Sequence, residues 1–308
     1  MSPAGFFQQV VNGMTLGGMY ALVALGYTMV YGIIQLINFA HGEIFMVGAF
    51  IGLFVLTIAS QLGIESFSLA LGLAFFISMA LTSVVGMAVE HIAYRPLRHS
   101  SRITLLLSAV GMSIFLQNLV MLIYGRDLQP FPRGISGGLN IGNIIVDYVQ
   151  ILIVVSSVLL MMVLDFLIHR TRLGQAMRAI AQDIEAAQMM GIDINHVIRL
   201  TFVVGSALAA AGGIMSGLYY GGVKFDMGFI LGIKAFAAAV LGGIGSIRGA
   251  MLGGFTLGLC ETLLVAIFSA AGVPDAFAYK DVIAFAILIA VLIFRPSGLL
   301  GQRTVEKV

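Results

Sequence analysis

Apolar residues in this chain come in long unbroken runs, not at the two-residue spacing of a half-buried strand or the three-and-four spacing of an amphipathic helix. Runs stand near 10–36, 44–62, 66–89, 103–124, 146–168, 197–220, 227–246, 249–271 and 280–295. Each approaches the ~20 residues a helix needs to cross a bilayer. Lipid offers no partner to loose backbone groups, so each run predicts a spanning helix. The pattern predicts an all-α polytopic membrane protein of eight or nine hydrophobic helical segments, some discontinuous, in a single transmembrane domain over 1–308.

Two runs are broken. Asn38-Phe39-Ala40-His41-Gly42-Glu43 interrupts the first hydrophobic stretch, and Leu241-Gly242-Gly243-Ile244-Gly245-Ser246-Ile247-Arg248-Gly249 interrupts a late one. Apolar residues resume at Gly48-Ala49-Phe50 and at Gly253-Gly254-Phe255. The two intervals coincide at a shift of 205 residues, which sets Glu43 opposite Arg248 and suggests an internal repeat. Paired interruptions point to a transport site built between repeats of broken helices, with glycine-mediated helix packing as the competing reading. Asn38, His41, Glu43, Gly242, Gly243, Gly245 and Ser246 are the pathway candidates from these breaks.

One polar island, about 169–199, stands between two apolar runs. Asp183 is placed to cap a helix whose first turn holds Glu185. Ala186, Ala187, Met189 and Met190 continue it, and Gly191 sits where a helix stops in the left-handed conformation. Paired alanines let a partner's walls approach closely, methionines adapt to an irregular groove, and Glu185 offers a carboxylate to a basic group. The island has the makings of a docking knob.

Composition agrees with a membrane class: 60% hydrophobic and 10% charged residues leave more apolar surface than a soluble chain of 308 residues can hide. A net charge of +2 says little about partners; the position of the cations says more. No Lys or Arg precedes Arg95, and clusters at Arg95, Arg98 and Arg102, at Arg170, Arg172 and Arg178, and at Arg295, Arg303 and Lys307 predict cytoplasmic ends. Gly125 to Asp147 is then the largest outer loop, and the N-terminus is outside if the first run crosses once. Met1 to Val10 lacks the basic n-region of a cleavable signal. The single Cys260 excludes an intrachain disulfide and reads as a small buried hydrophobe.

Ionisable residues at membrane depth are few. Glu90 and His91 beside Tyr94-Arg95-Pro96, and Asp165 with His169, read as snorkelling or capping groups at an inner boundary. Glu261 and Lys234 fall mid-run, so each predicts a buried partner or a water-filled cavity, and Glu261 joins the pathway candidates. Enzymatic chemistry finds no support. His41 and Glu43 lack a third ligand, His91 and His99 are not at ligand spacing from them, and no His-Glu-x-x-His occurs. Gly134-Ile135-Ser136-Gly137-Gly138 has nucleophile-elbow spacing without the strand-turn-helix context. No Gly-x-x-x-x-Gly-Lys-Ser/Thr loop is present to cradle ATP.

Several stretches together carry a resemblance. Asn12-Gly13 to Gly18 with Tyr20-Ala21-Leu22, Gly26-Tyr27-Thr28-Met29-Val30-Tyr31-Gly32, Ile37 to Glu43, Ala93-Tyr94-Arg95-Pro96-Leu97-Arg98 and Ala239 to Ser246 resemble, over essentially the whole chain, the branched-chain amino acid permeases of bacterial ABC importers. The similarity is to the LivH-type member of the heterodimeric permease pair. Glu185-Ala186-Ala187, Gly191 and Ile198-x-Leu200 look like that superfamily's coupling loop, although the gap from Gly191 to Ile198 is short and Thr201 stands where a proline often follows.

The resemblance implies a multi-pass permease of the bacterial inner membrane for leucine, isoleucine and valine. It implies a second homologous permease, two cytoplasmic ATPase subunits and a periplasmic amino acid binding protein as partners. Asp183, Glu185, Ala186, Ala187 and Gly191 would couple to an ATPase. No cofactor is expected in this chain, and no nucleic acid among its partners. Alternatives are an ion- or proton-coupled secondary carrier, disfavoured because only Glu261 is clearly a deep carboxylate, and a permease for urea or short amides. A membrane scaffold without transport would have no need of polar breaks at membrane depth.

Overall fold

Apolar runs that cannot leave backbone groups unpaired in lipid become helices, and their lengths set the architecture. A computed structural model describes residues 3–98, 100–142 and 144–301; His99, Arg303 and Lys307 lie outside the described residues. The helices are α1 (Pro3–Ile34), α2 (His41–Gln61), α3 (Phe67–Val89), α4 (Arg102–Tyr124), α5 (Tyr148–Arg170), α6 (Arg172–Gln182), α7 (Ile184–Met189), α8 (Ile194–Tyr220), α9 (Met227–Gly242), α10 (Ile247–Ala270) and α11 (Lys280–Phe294). Among the described residues, 8 helical segments are long and apolar enough to cross a membrane. The ninth run, expected over 227–246, yields only the 16 residues of α9. At ~1.5 Å rise per residue α9 is roughly 24 Å long, short of a ~30 Å hydrocarbon core.

Strands are confined to the loops at one end. β1 (Gln129–Pro130) pairs antiparallel with β4 (Gly222–Val223), and β2 (Gly138–Ile141) with β3 (Ile144–Asp147). Gln8 reaches Ile145 and Arg133 donates to the Tyr219 carbonyl, so the start of α1, the end of α8 and the 125–147 loop share that end. The opposite end is basic. There Arg98 donates to Asn195 and Arg248 pairs with Asp165. Gly134 to Gly137 are irregular chain before β2, not a strand-turn-helix elbow.

α1 forms the axis of the bundle because its small residues admit close neighbours. A Cβ at Gly17 would strike the Phe255 backbone, and one at Gly254 would strike Ala21, so α1 and α10 meet backbone to backbone. Gly13 with Gly17, and Gly254 with Gly258, have the four-residue spacing that lets helices approach in lipid. Gly48 against Ala210 does the same for α2 and α8.

Three sequence expectations change here. The polar island holds two helices, α6 and α7, not one. Glu90 does not snorkel: α3 continues through a wider π turn, Glu90–Tyr94, which buries Glu90 against Arg98 at 2.5 Å. Cys260 is half-buried.

Candidate functional site

Three helices bring their charges to one place, and a fourth adds a hydroxyl. Glu261 of α10 is 0% exposed, a placement that requires counter-charges. Lys234 of α9 lies 3.1 Å from its Oε1 and Lys280 of α11 lies 3.2 Å from the same oxygen. The Tyr20 hydroxyl of α1 donates to Oε2 at 3.0 Å. Lys234 also reaches Asp281 Oδ1 at 2.6 Å. Two ammonium groups and two carboxylates therefore form one neutral quartet. Its cations lie over aromatic faces, Lys234 Nζ at 5.9 Å from the Tyr20 ring centre and Lys280 Nζ at 6.0 Å from that of Tyr220.

Three of the quartet, Lys234, Lys280 and Asp281, line a cavity of about 320 Å³, and Glu261 lies buried behind them. Tyr20, Tyr220, Lys234, Lys280 and Asp281 supply its polar wall, and Leu128, Met227, Ile230 and Leu231 its apolar wall. Lys224 and Gly222 also line it, which places its mouth at the end carrying β1 and β4. Of the quartet, Asp281 is the most exposed, its side chain 47% accessible.

A second polar group sits at the first chain break. Residues 35–40 leave α1 at Ile34 and turn back along it, with Gln35 at φ +56°, so that His41 lies against Gly26, about two turns before α1 ends. Asn38, His41 and Glu43 are all buried. The Asn38 Oδ1 accepts from the Ala40 amide at 3.1 Å and the Tyr94 hydroxyl at 2.9 Å. Glu43 stands in the first turn of α2, touches Gly228 in the first turn of α9 and shares a hydrogen bond with the Ser113 side chain of α4. His41 Nε2, Asn38 Nδ2 and Glu43 Oε2 find no hydrogen-bond partner among the described residues.

The second break runs from Gly243 to Ser246, and Gly242 is the last residue of α9, not part of the break. Gly243 at φ +104° and Gly245 at φ +92° make the turn, and the Ser246 side chain caps α10 through the Gly249 amide. The carbonyls of Leu241 and Gly242 accept from Leu299 and Leu300. Ile37 and Ile244 line one small cavity with Tyr27 and Phe236, so the two breaks adjoin there. Their polar residues do not meet. Asn38 turns to Tyr94, and Arg248, set opposite Glu43 by the repeat, is exposed and holds Asp165 at 3.1 Å. Glu261 belongs to the quartet and not to either break.

On the island, Asp183 Oδ1 accepts from the Glu185 and Ala186 amides at 2.9 and 3.0 Å. Gly191 at φ +82° ends α7, with the Gly191 and Ile192 amides returning to Gln188 and Ala187. One expectation fails. Ala187 is 3% exposed and packs into this chain's own core, so it cannot be the point of closest approach for a partner. The face turned outward carries Ile184, Met189 and Met190, the two methionines each 83% exposed.

Residues 9–292 match the family described as branched-chain amino acid transport system / permease component. The chain belongs to this family. It is 48% identical over 308 residues to the high-affinity branched-chain amino acid transport system permease protein BraD of Pseudomonas aeruginosa, covering 98% of each chain. Identity is 44% over 308 residues to LivH of Escherichia coli, again covering 98% of each. The probable LivH of Methanocaldococcus jannaschii is 27% identical over 291 residues, covering 91% of this chain and 88% of that one. As a permease component with membrane-spanning helices, the protein is an integral membrane transport subunit.

In this branched-chain permease the sequence reading singled out Glu261 and Lys234 separately and passed over Lys280, Asp281, Tyr20 and Tyr220. Lys280 and Asp281 stand at the head of the last apolar run and look like boundary charges. The one available signal was arithmetic: a buried carboxylate and a buried amine at depth call for partners, and neighbouring run ends can supply them.

Proposed function

We propose that this chain is one transmembrane permease subunit of an ATP-binding-cassette importer that carries leucine, isoleucine and valine across the bacterial inner membrane. The observation that supports this reading most is the near full-length identity to BraD and LivH, permease proteins of high-affinity branched-chain amino acid transport systems. In this reading the single permease domain pairs with a second, homologous permease. A periplasmic binding protein delivers substrate to the end carrying the 125–147 loop, and two ATPase subunits sit at the basic end. ATP hydrolysis belongs to those partners; this subunit is not itself catalytic.

Asp183 and Gly191 would hold α7 as a rigid knob, and Glu185, Ile184, Met189 and Met190 would enter an ATPase groove. Ala186 stands half-buried beside them, and Ala187 anchors the knob from within. Movement of α7 would be passed to α8 through core contacts at Ala187, Val197 and Ile198. A substrate gains direction only from differing affinities in two states, so the pathway must present different polar groups as the helices rock. Asn38, His41, Glu43, Gly243, Gly245 and Ser246 remain the pathway candidates at the breaks.

Uptake of labelled leucine, valine and urea into proteoliposomes holding the full complex, with its binding protein outside and ATP within, tests the reading. ATP-dependent leucine and valine uptake is expected. Uptake of urea alone would replace the substrate class, and uptake driven by a proton gradient without ATP would replace the mechanism.

A further inference from the structure

We propose that the quartet of Lys234, Glu261, Lys280 and Asp281 is a recognition site for the α-ammonium and α-carboxylate of a free amino acid inside the permease itself. The inference rests on the transport reading above and goes beyond it, since nothing in that reading requires this subunit to read the substrate's charged head.

Charge arithmetic carries the argument. Two ammonium groups and two carboxylates sum to zero, and a zwitterion also sums to zero. It can therefore exchange partners with the quartet without leaving a net charge beside the buried Glu261. The geometry makes one exchange available. Glu261 is wholly buried and holds both lysines, so it stays in place. Asp281 holds Lys234 at 2.6 Å from a side chain that is half open to the cavity. A ligand carboxylate can take the place of Asp281 on Lys234, with Lys280 lining the same cavity, and the freed Asp281 can accept the ligand ammonium. Leu128, Ile230 and Leu231 then face the ligand's side chain. The volume of about 320 Å³ lies at the lower end of the ~300–1,000 Å³ of small-molecule sites, which accommodates a free amino acid.

A ligand with only one of the two charges would strand its counterpart. Leucinamide would bring a cation with no carboxylate for the lysines, and 4-methylpentanoate an anion with no ammonium for Asp281. Both keep the branched tail, so the apolar wall alone would not distinguish them from leucine.

Saturation-transfer NMR of L-leucine on the full transporter in nanodiscs, without binding protein or ATP, reads this site directly. Leucine should give methyl signals that valine displaces and that equal concentrations of leucinamide or 4-methylpentanoate do not. Asp281→Asn and Lys280→Gln each remove one charge-assisted bond and should weaken leucine binding by about tenfold or more. Arg126→Gln, an exposed cation lost from the same end outside the cavity, should leave binding unchanged. Equal competition by the two analogues, or wild-type binding in Asp281→Asn, overturns the proposal. The assay involves no turnover, so intact leucine binding in a transporter that imports no leucine would sink the functional reading and leave this site standing.

Discussion

Around Glu261 every charged group has a counter-charge, whereas Glu43, equally buried, has a serine hydroxyl and a glycine beside its carboxyl group. Both residues lie deep in the bundle and neither is exposed. Glu261 is held by side chains from α1, α9 and α11, residues far from it in sequence, so the quartet ties four helices together. Glu43 has no ion pair among the described residues: its partner is the Ser113 side chain of α4, and it packs against Gly228 in the first turn of α9. The difference teaches that burying a carboxyl group in this protein does not by itself imply an ion pair. Where a cation can reach, the carboxylate is paired; at the break Glu43 meets a hydroxyl instead, and polar atoms of Asn38, His41 and Glu43 keep bonding capacity to spare.

The largest expected effect breaks the quartet. Lys234→Met leaves Glu261 short of its deepest partner and should cost about 3–5 kcal/mol of stability, read as thermal unfolding of the purified complex. Glu261→Gln should fare little better than Glu261→Leu, because two ammonium groups lose their shared anion. The double variant Lys234→Met with Glu261→Met should recover part of the loss, since neither fully buried member is left alone while the more exposed Lys280 still lacks its anion. Wild-type stability in Glu261→Gln would show that hydrogen bonding and not charge holds this cluster, and the contrast with Glu43 would vanish.

A smaller effect probes the break. Gly26→Ala would put a methyl group into the His41 ring and should cost about 1–3 kcal/mol by overpacking. Adding His41→Ala should return most of it. Additive losses in the double variant would mean that α1 and the start of α2 do not share the space assigned to them. Smaller again is Tyr94→Phe, which removes the hydroxyl bound to Asn38 and should cost about 0.5–1.5 kcal/mol. A loss as large as that of Lys234→Met would place the break, and not the quartet, as the stronger anchor.

The smallest effect on stability serves as a control outside both clusters. Met189→Gln with Met190→Gln changes an exposed face of α7 and should shift stability by less than ~0.5 kcal/mol. It should nevertheless lower substrate-stimulated ATPase activity. Ala187→Trp, by contrast, should destabilise the permease itself, because Ala187 is buried in its own chain. Unchanged ATPase coupling in the methionine variant would leave α7 as an ordinary solvated turn.

Much of the fold was readable from runs of apolar residues, because the bilayer imposes one length on every spanning helix. The cap at Asp183 and the stop at Gly191 were readable for a local reason: a short acceptor side chain before a helix, and a glycine free to take φ +82° after it. The failures have the same root in reverse. Ala187 and Glu185 look equally available in a helical pattern, and only packing of α7 onto the core turns Ala187 inward. The second helix of the island, α6, has no long apolar run; its signal is the three-and-four spacing of Leu173, Ala176, Met177 and Ile180, which a search for spans passes over. Glu90 looked like a boundary residue because the π turn that aims it at Arg98 leaves no mark in hydropathy.

Composition and run length by themselves determined that this chain spans a membrane as helices, where its polar breaks fall, and which two ionisable residues stand too deep to be alone. Those are local properties, set by residue-to-solvent transfer energies that do not depend on what packs where. Which charges meet was decided by the packing of helices. Lys234, Glu261, Lys280 and Asp281 are joined because glycines let α1 and α10 touch, α9 is short, and α11 starts beside both. Electrostatic partnership depends on distances of a few ångströms between residues distant in the chain, and those distances exist only once the bundle has formed.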